Sequence, residues 1–179
     1  MITNIAEIRD VKALLAECCC ELTVEGKSFN GNMELGIMIE TPAAAVTADI
    51  LAQEVDFFSI GTNDLTGYMM SVDRGNSNVA YLYQVYQPAV LRMIKRVCSA
   101  AHEAGIPVGM CGEAAADPAL APCLIAFGLD EFSVGAERVL DVRRNLSMWT
   151  YEDSCDAAEK ALKLKTAEEV KRYLLKIQR

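Results

Sequence analysis

Leu35-Gly36-Ile37-Met38-Ile39-Glu40-Thr41-Pro42 is a short continuous apolar run that ends in a carboxylate and a helix start. Such a run, without alternation, suits a strand buried on both faces of a parallel sheet. Thr41-Pro42 then predicts an alanine-rich helix, because proline in a first helical turn forfeits no backbone bond. The same order recurs downstream. Val55 to Gly61 reads as a strand and Asn63-Asp64 opens a helical stretch. Ile106 to Met110 is followed by a helix from Asp117-Pro118 to near Gly128, and Glu131 to Val134 by a helix over Glu137 to Leu146. Strands alternating with helices imply parallel pairing through right-handed crossovers. An open doubly wound sheet and a (β/α)8 TIM barrel both satisfy that pattern. A complete barrel takes about 250 residues, and about four strands are legible here. In a chain of 179 residues, the barrel reading therefore means α/β architecture as the C-terminal half of a barrel.

Outward from that centre, Met1-Ile2 reads as the end of a strand that begins upstream. Asn4 caps the next helix, with Glu7 placed for a capping box. Ile5, Ile8, Val11, Leu14, Leu15, Cys18 and Leu22 recur at helical spacing and predict one apolar face. Gly26 to Asn32 and Asp73 to Asn78 read as loops. Pro88 starts a helix that runs to Ala104 and stops at Gly105. Helices follow over Tyr151 to Leu164 and after Thr166, where Glu169 completes a second capping box. Residues 1-179 are thus expected to form one partial barrel domain, with 150-179 as a helical tail packed on its outside.

Composition narrows the function classes. Hydrophobic residues make up 52% and charged residues 23%, as in globular proteins. No apolar run is long enough to span a membrane, and the first residues carry no secretory pattern. The net charge of -8 comes without any Lys/Arg-rich block, which argues against nucleic acid or an anionic membrane as partner. The seven cysteines lack zinc-site spacing and, Cys111 excepted, are expected to be reduced thiols in a cytoplasmic protein, most of them packing as small apolar groups. His102 is the sole histidine, which disfavours a histidine triad or a poly-histidine metal site.

Polar residues fall just past the strand ends: Glu40, then Asn63 and Asp64, then Cys111 and Glu113. In a parallel barrel these ends share the face where active sites lie. Glu40 and Asp64 are hard oxygen ligands suited to Mg2+, or acids at helix starts, where the helix dipole favours them. Arg74 can fork onto a phosphate or lie solvated. Asn63 can donate to the same anion or cap a helix. Cys111 lies beside Gly112, where backbone approaches closely, and can be a general acid, a nucleophile or plain packing. Glu113 stays unassigned, and Thr41 and Thr62 read as caps.

Phe57-Phe58-Ser59-Ile60-Gly61-Thr62-Asn63-Asp64-Leu65-Thr66, Ser71-Val72-Asp73-Arg74-Gly75-Asn76, Gly109-Met110-Cys111-Gly112-Glu113 and Glu40-Thr41-Pro42-Ala43-Ala44 together resemble enzyme I of the bacterial sugar phosphotransferase system. Pyruvate phosphate dikinases and phosphoenolpyruvate synthases share the Gly61 to Thr66 motif but differ around the arginine. The resemblance covers about Met1 to Leu146. It implies that Glu40 and Asp64 bind Mg2+, that Asn63 and Arg74 hold the phosphate of phosphoenolpyruvate, and that Cys111 protonates the methylene carbon of the pyruvate enolate. An ordinary thiol is mostly protonated at neutral pH and fits that task. It also implies phosphoryl transfer to a protein histidine and then to HPr, through an N-terminal domain that this sequence lacks, in an enzyme that dimerises. Gly67, Gly135 and the stretch Gln84 to Gln87 depart from the usual pattern without removing a named group. His102 is not expected to be the phosphoacceptor. Two other readings stay open: a dikinase or synthase fragment, and a non-catalytic module that binds phosphoenolpyruvate, pyruvate or a partner.

Overall fold

The structure is a computed structural model that describes residues 1–179 except Arg74. After α1 (Ile5–Val24) come β1 (Gly36–Ile39), α2 (Pro42–Val46), α3 (Ala48–Leu51), β2 (Phe57–Gly61), α4 (Thr62–Met70), α5 (Pro88–Ala104), β3 (Val108–Cys111), α6 (Ala121–Ala126), β4 (Glu131–Phe132) and α7 (Val139–Ser147). Two helices close the chain, α8 (Tyr151–Lys163) and α9 (Ala167–Ile177).

The strands form one four-stranded parallel sheet in the order β1-β2-β3-β4. Each βα unit steps one position in the same direction. A doubly wound sheet would reverse its strand order at a switch point. The unreversed order is that of half a (β/α)8 barrel.

Helices cover one face of this sheet. Ile37, Ile39, Phe58, Ile60, Val108 and Met110 point into a single core with the apolar side of α5, where Val90, Leu91, Ile94, Val97 and Ala101 are buried at helical spacing. Full burial of each large side chain contributes roughly 1.5–3 kcal/mol. Gly105, at φ 76°, ends α5 in a left-handed turn. The alternate strand positions, Met38, Ser59, Gly109 and Cys111, face the other way and stay partly exposed, Met38 at 37%. Parallel sheets are normally covered on both faces. Here the second face is the concave side of an open half barrel.

Several expectations are corrected. Met1-Ile2 is not a strand, and Asn4 and Glu7 form the expected capping box directly after it. Of the apolar positions on α1 only Ile8 is fully buried; Val11, Leu14 and Leu15 are exposed at 40%, 59% and 37%. The periodicity was real, but the described residues supply no partner for most of that stripe. The Asp117-Pro118 helix starts later: Glu113–Ala116 form a 3-10 turn and α6 begins at Ala121. Apolar packing describes the thiols of Cys98 and Cys123, which burial pushes up to about 12, whereas Cys18 and Cys20 are exposed.

In the tail, α8 packs on α6, and Ala157, Ala158 and Ala161 are buried. Thr166 and Glu169 form the capping box that starts α9, whose Val170 and Leu174 reach the main core. No described helix is long and apolar enough to cross a membrane.

Candidate functional site

The register of the sheet aligns the candidate residues before any side chain is considered. Gly61 pairs with Cys111 and Ile39 with Ile60, so β1, β2 and β3 end level. Glu40, Asn63, Asp64 and Cys111 leave from that common edge.

Glu40 is free of capping duty. The cap of α2 is Thr41, whose hydroxyl accepts from the Ala44 N–H at 3.1 Å and donates to the Ile2 carbonyl at 2.8 Å. The Glu40 side chain, 14% exposed, lies across the end of β2. A Cβ placed on Gly61 would come within 2.9 Å of Glu40 Oε2 and 3.2 Å of Met38 Cγ. Gly61 is therefore the residue that lets the carboxylate cross its neighbouring strand.

Asp64, in the first turn of α4, approaches the same carboxylate. Burial raises the Glu40 pKa above the ordinary carboxylate value, and the charge and hydrogen bonding of Asp64 raise it further. The chain's amino terminus, 3.9 Å from Oε1, pulls the other way. Two acids held this close repel one another, and a divalent cation would relieve that repulsion. They fit Mg2+, which commonly takes one or two carboxylates and completes its shell with water and substrate oxygens. Among the described residues no cluster of three or more acids, cysteines or histidines could cage a metal unaided.

Cys111 ends β3 on the open face, with Sγ 3.7 Å from Met38 Sδ. Its loop is tied down twice. Thr62 Oγ1 donates to the Cys111 carbonyl at 3.0 Å, and Glu113 N–H donates to Asn63 Oδ1 at 3.4 Å. The turn needs glycine: Gly112 has φ 98°, and a Cβ there would lie 2.5 Å from Thr62 Oγ1. Asn63 has its oxygen engaged by the loop, and among the described residues its side-chain N–H groups have no acceptor. Tyr83 holds the same segment from behind by donating to the Asn63 carbonyl at 2.9 Å.

Glu40, Asn63, Asp64 and Cys111 are thus brought to one mouth at the C-terminal edge of the sheet. Arg74 lies outside the described residues. Thr62 is not the expected cap, since the N-cap of α4 is Gly61 and no described side chain caps it; Thr62 tethers the Cys111 loop, a role that no local pattern signals. Glu113 contributes its backbone N–H to Asn63. His102 sits elsewhere, its Nε2 3.3 Å from Asp130 Oδ2 near the opposite ends of the strands.

Residues 1–151 match the family described as PEP-utilising enzyme, PEP-binding domain. The chain belongs to this family. Relatives of this PEP-binding domain share it within longer proteins. The chain is 51% identical over 170 residues to the phosphoenolpyruvate-protein phosphotransferase of Bacillus sp. (strain S), covering 95% of this chain and 29% of that protein. The figures are the same for the protein of that name from Geobacillus stearothermophilus. For the one from Latilactobacillus sakei, identity is 45% over 175 residues, 98% of this chain and 30% of the relative. The chain therefore spans about 30% of the length of the relatives it matches.

Proposed function

We propose that this chain is part of the phosphoenolpyruvate-binding catalytic domain of a phosphoenolpyruvate-protein phosphotransferase. That enzyme would move the phosphoryl group of phosphoenolpyruvate to a protein histidine, then to HPr, and release pyruvate in support of sugar uptake. The observation that carries this reading is the meeting of two carboxylates, an amide and a thiol at one edge of an open parallel sheet.

Glu40 and Asp64 would hold Mg2+, which when bound supplies positive charge to the phosphoryl group and to the developing enolate. The Asn63 amide, oriented by the Glu113 N–H, and Arg74 would bind phosphate oxygens, positioning the phosphoryl group for transfer. Cys111 would deliver the thiol proton to the methylene carbon of the enolate, giving pyruvate and leaving a thiolate that regains its proton from solvent. Thr62, through the Cys111 carbonyl, would keep that loop in place.

We place the phosphohistidine and the first barrel strands in the remaining length of the longer protein, and read that protein as cytoplasmic and dimeric. The chain alone is then expected to be inactive. Two assays test the proposal. Incubated with phosphoenolpyruvate and HPr, the 179-residue chain should label no HPr; turnover would refute the half-site. In a longer enzyme containing this segment, Cys111→Ala should slow pyruvate release far more than histidine phosphorylation. Equal loss of both steps would remove Cys111 from the protonation role.

A further inference from the structure

Behind the Asn63 turn lies a second recess that excludes Glu40, Asp64 and Cys111. It has a volume of about 260 Å3 and brings together Asn63, Thr66, Tyr86, Glu113, Asp117 and Lys171. Four separate parts of the chain build it: α4, the segment from Tyr83 to Tyr86 before α5, the turn after β3, and α9 from the tail. Its floor carries an anomaly. Thr66 is 2% exposed, and its hydroxyl is a buried side-chain polar atom without a hydrogen-bond partner among the described residues. A buried hydroxyl left unpaired costs about 1–3 kcal/mol, so this position is unfavourable unless something in the recess completes it.

The remaining valences define what that is. Tyr86 donates its hydroxyl to Asp117, which also accepts the Ala119 N–H, so this tyrosine and this acid are already engaged. Lys171 forms no ion pair among the described residues and lies with its ammonium 5.7 Å from the Tyr86 ring. The Glu113 carboxylate is likewise without a described cationic partner. Apart from the Asn63 amide, assigned above to the phosphate, one ammonium, one carboxylate and one hydroxyl are left. Counting Asp117, the walls carry more negative than positive charge, which disfavours a simple anion. A molecule with a carboxylate for Lys171, an ammonium for Glu113 and a hydroxyl or small polar group for Thr66 satisfies all three. The volume lies below the roughly 300–1,000 Å3 of pockets for drug-sized ligands, so the molecule must be small.

We propose that this recess, which borders the phosphoenolpyruvate mouth across Asn63 but has none of Glu40, Asp64 or Cys111 in its lining, is a binding site for a small zwitterion of the free amino-acid type. L-Serine is the probe, added to the full 179-residue chain and followed by amide NMR shifts. Saturable shifts are expected at Thr66, Glu113 and Lys171 at concentrations up to about 10 mM, the weak range suited to a few polar contacts. Acetate and ethanolamine, which carry only one of the two charges, should give none. Lys171→Ala, on an exposed position of α9, should weaken serine binding by about tenfold or more. Thr66→Val supplies an independent readout. It should also weaken binding, yet leave the thermal midpoint of the free chain unchanged or higher, because an unpaired hydroxyl is removed. Four results would each overturn the proposal: no response to serine, an equal response to acetate, unaltered affinity in Lys171→Ala, or a lowered midpoint in Thr66→Val.

Discussion

The two faces of the sheet differ although they belong to the same strands. On the helix side, Ile39, Phe58, Ile60, Val108 and Met110 are each 0% exposed. On the concave side, Met38, Ser59 and Cys111 remain accessible, and the described candidate groups, Glu40, Asn63, Asp64 and Cys111, lie on that side or at the adjoining edge. Successive side chains of a strand point to opposite faces, so one short apolar run supplies both a core and a site wall. The covered face holds the fold together. The open face contributes little stability and can carry charge and a thiol.

The most forceful way to break this contrast is to truncate both faces. Phe58→Ala should destabilise the chain by about 3–5 kcal/mol in denaturant titration, as expected for an aromatic removed from a packed core. Met38→Ala, on the open side, should cost about 1 kcal/mol or less. Comparable losses would mean that the concave face is packed after all.

Gly112→Ala tests the edge where the faces meet. A side chain at φ 98° against Thr62 should cost about 1–3 kcal/mol through backbone strain. It should also displace the Cys111 and Asn63 contacts, visible as changed amide shifts in both segments. A neutral substitution would show that the turn is not constrained by Thr62.

The smallest effect is electrostatic. Because folding raises the Glu40 pKa, the folded chain binds this proton more tightly than the unfolded one. The stability that protonation supports is present in acid and is lost as pH rises through the folded value. Glu40→Gln should therefore stabilise the metal-free chain near neutral pH, with the advantage vanishing below the ordinary carboxylate range. The same variant should lose the rise in thermal midpoint that Mg2+ is expected to give the unsubstituted chain at neutral pH. A midpoint insensitive to Mg2+ in the unsubstituted chain would count against the carboxylate pair as a metal site.

Much of the architecture was legible because it rests on local rules. Asn4 with Glu7 and Thr166 with Glu169 announce helix starts by reciprocal hydrogen bonds within four residues. Pro88 and Gly105 bracket α5 through their own φ preferences. The strands stood out as apolar runs, and polar residues just past their ends marked Glu40, Asn63, Asp64 and Cys111 as candidates. Less legible was α1, where periodicity promised a buried stripe and only Ile8 is fully covered. Periodicity reports that a face is apolar, not that a partner for it lies in the same stretch of chain.

The sequence by itself determined the order of strands and helices, the caps, and which residues follow each strand, since these depend on neighbours a few positions apart. Tertiary structure alone decided that the strand order runs without reversal, that Gly61 makes room for the Glu40 carboxylate, and that Thr62 rather than a cap holds the Cys111 loop. It alone brought Lys171 from the tail to the recess beside Thr66. These facts join residues tens of positions apart, and such contacts arise from packing and sheet register, which no local preference encodes.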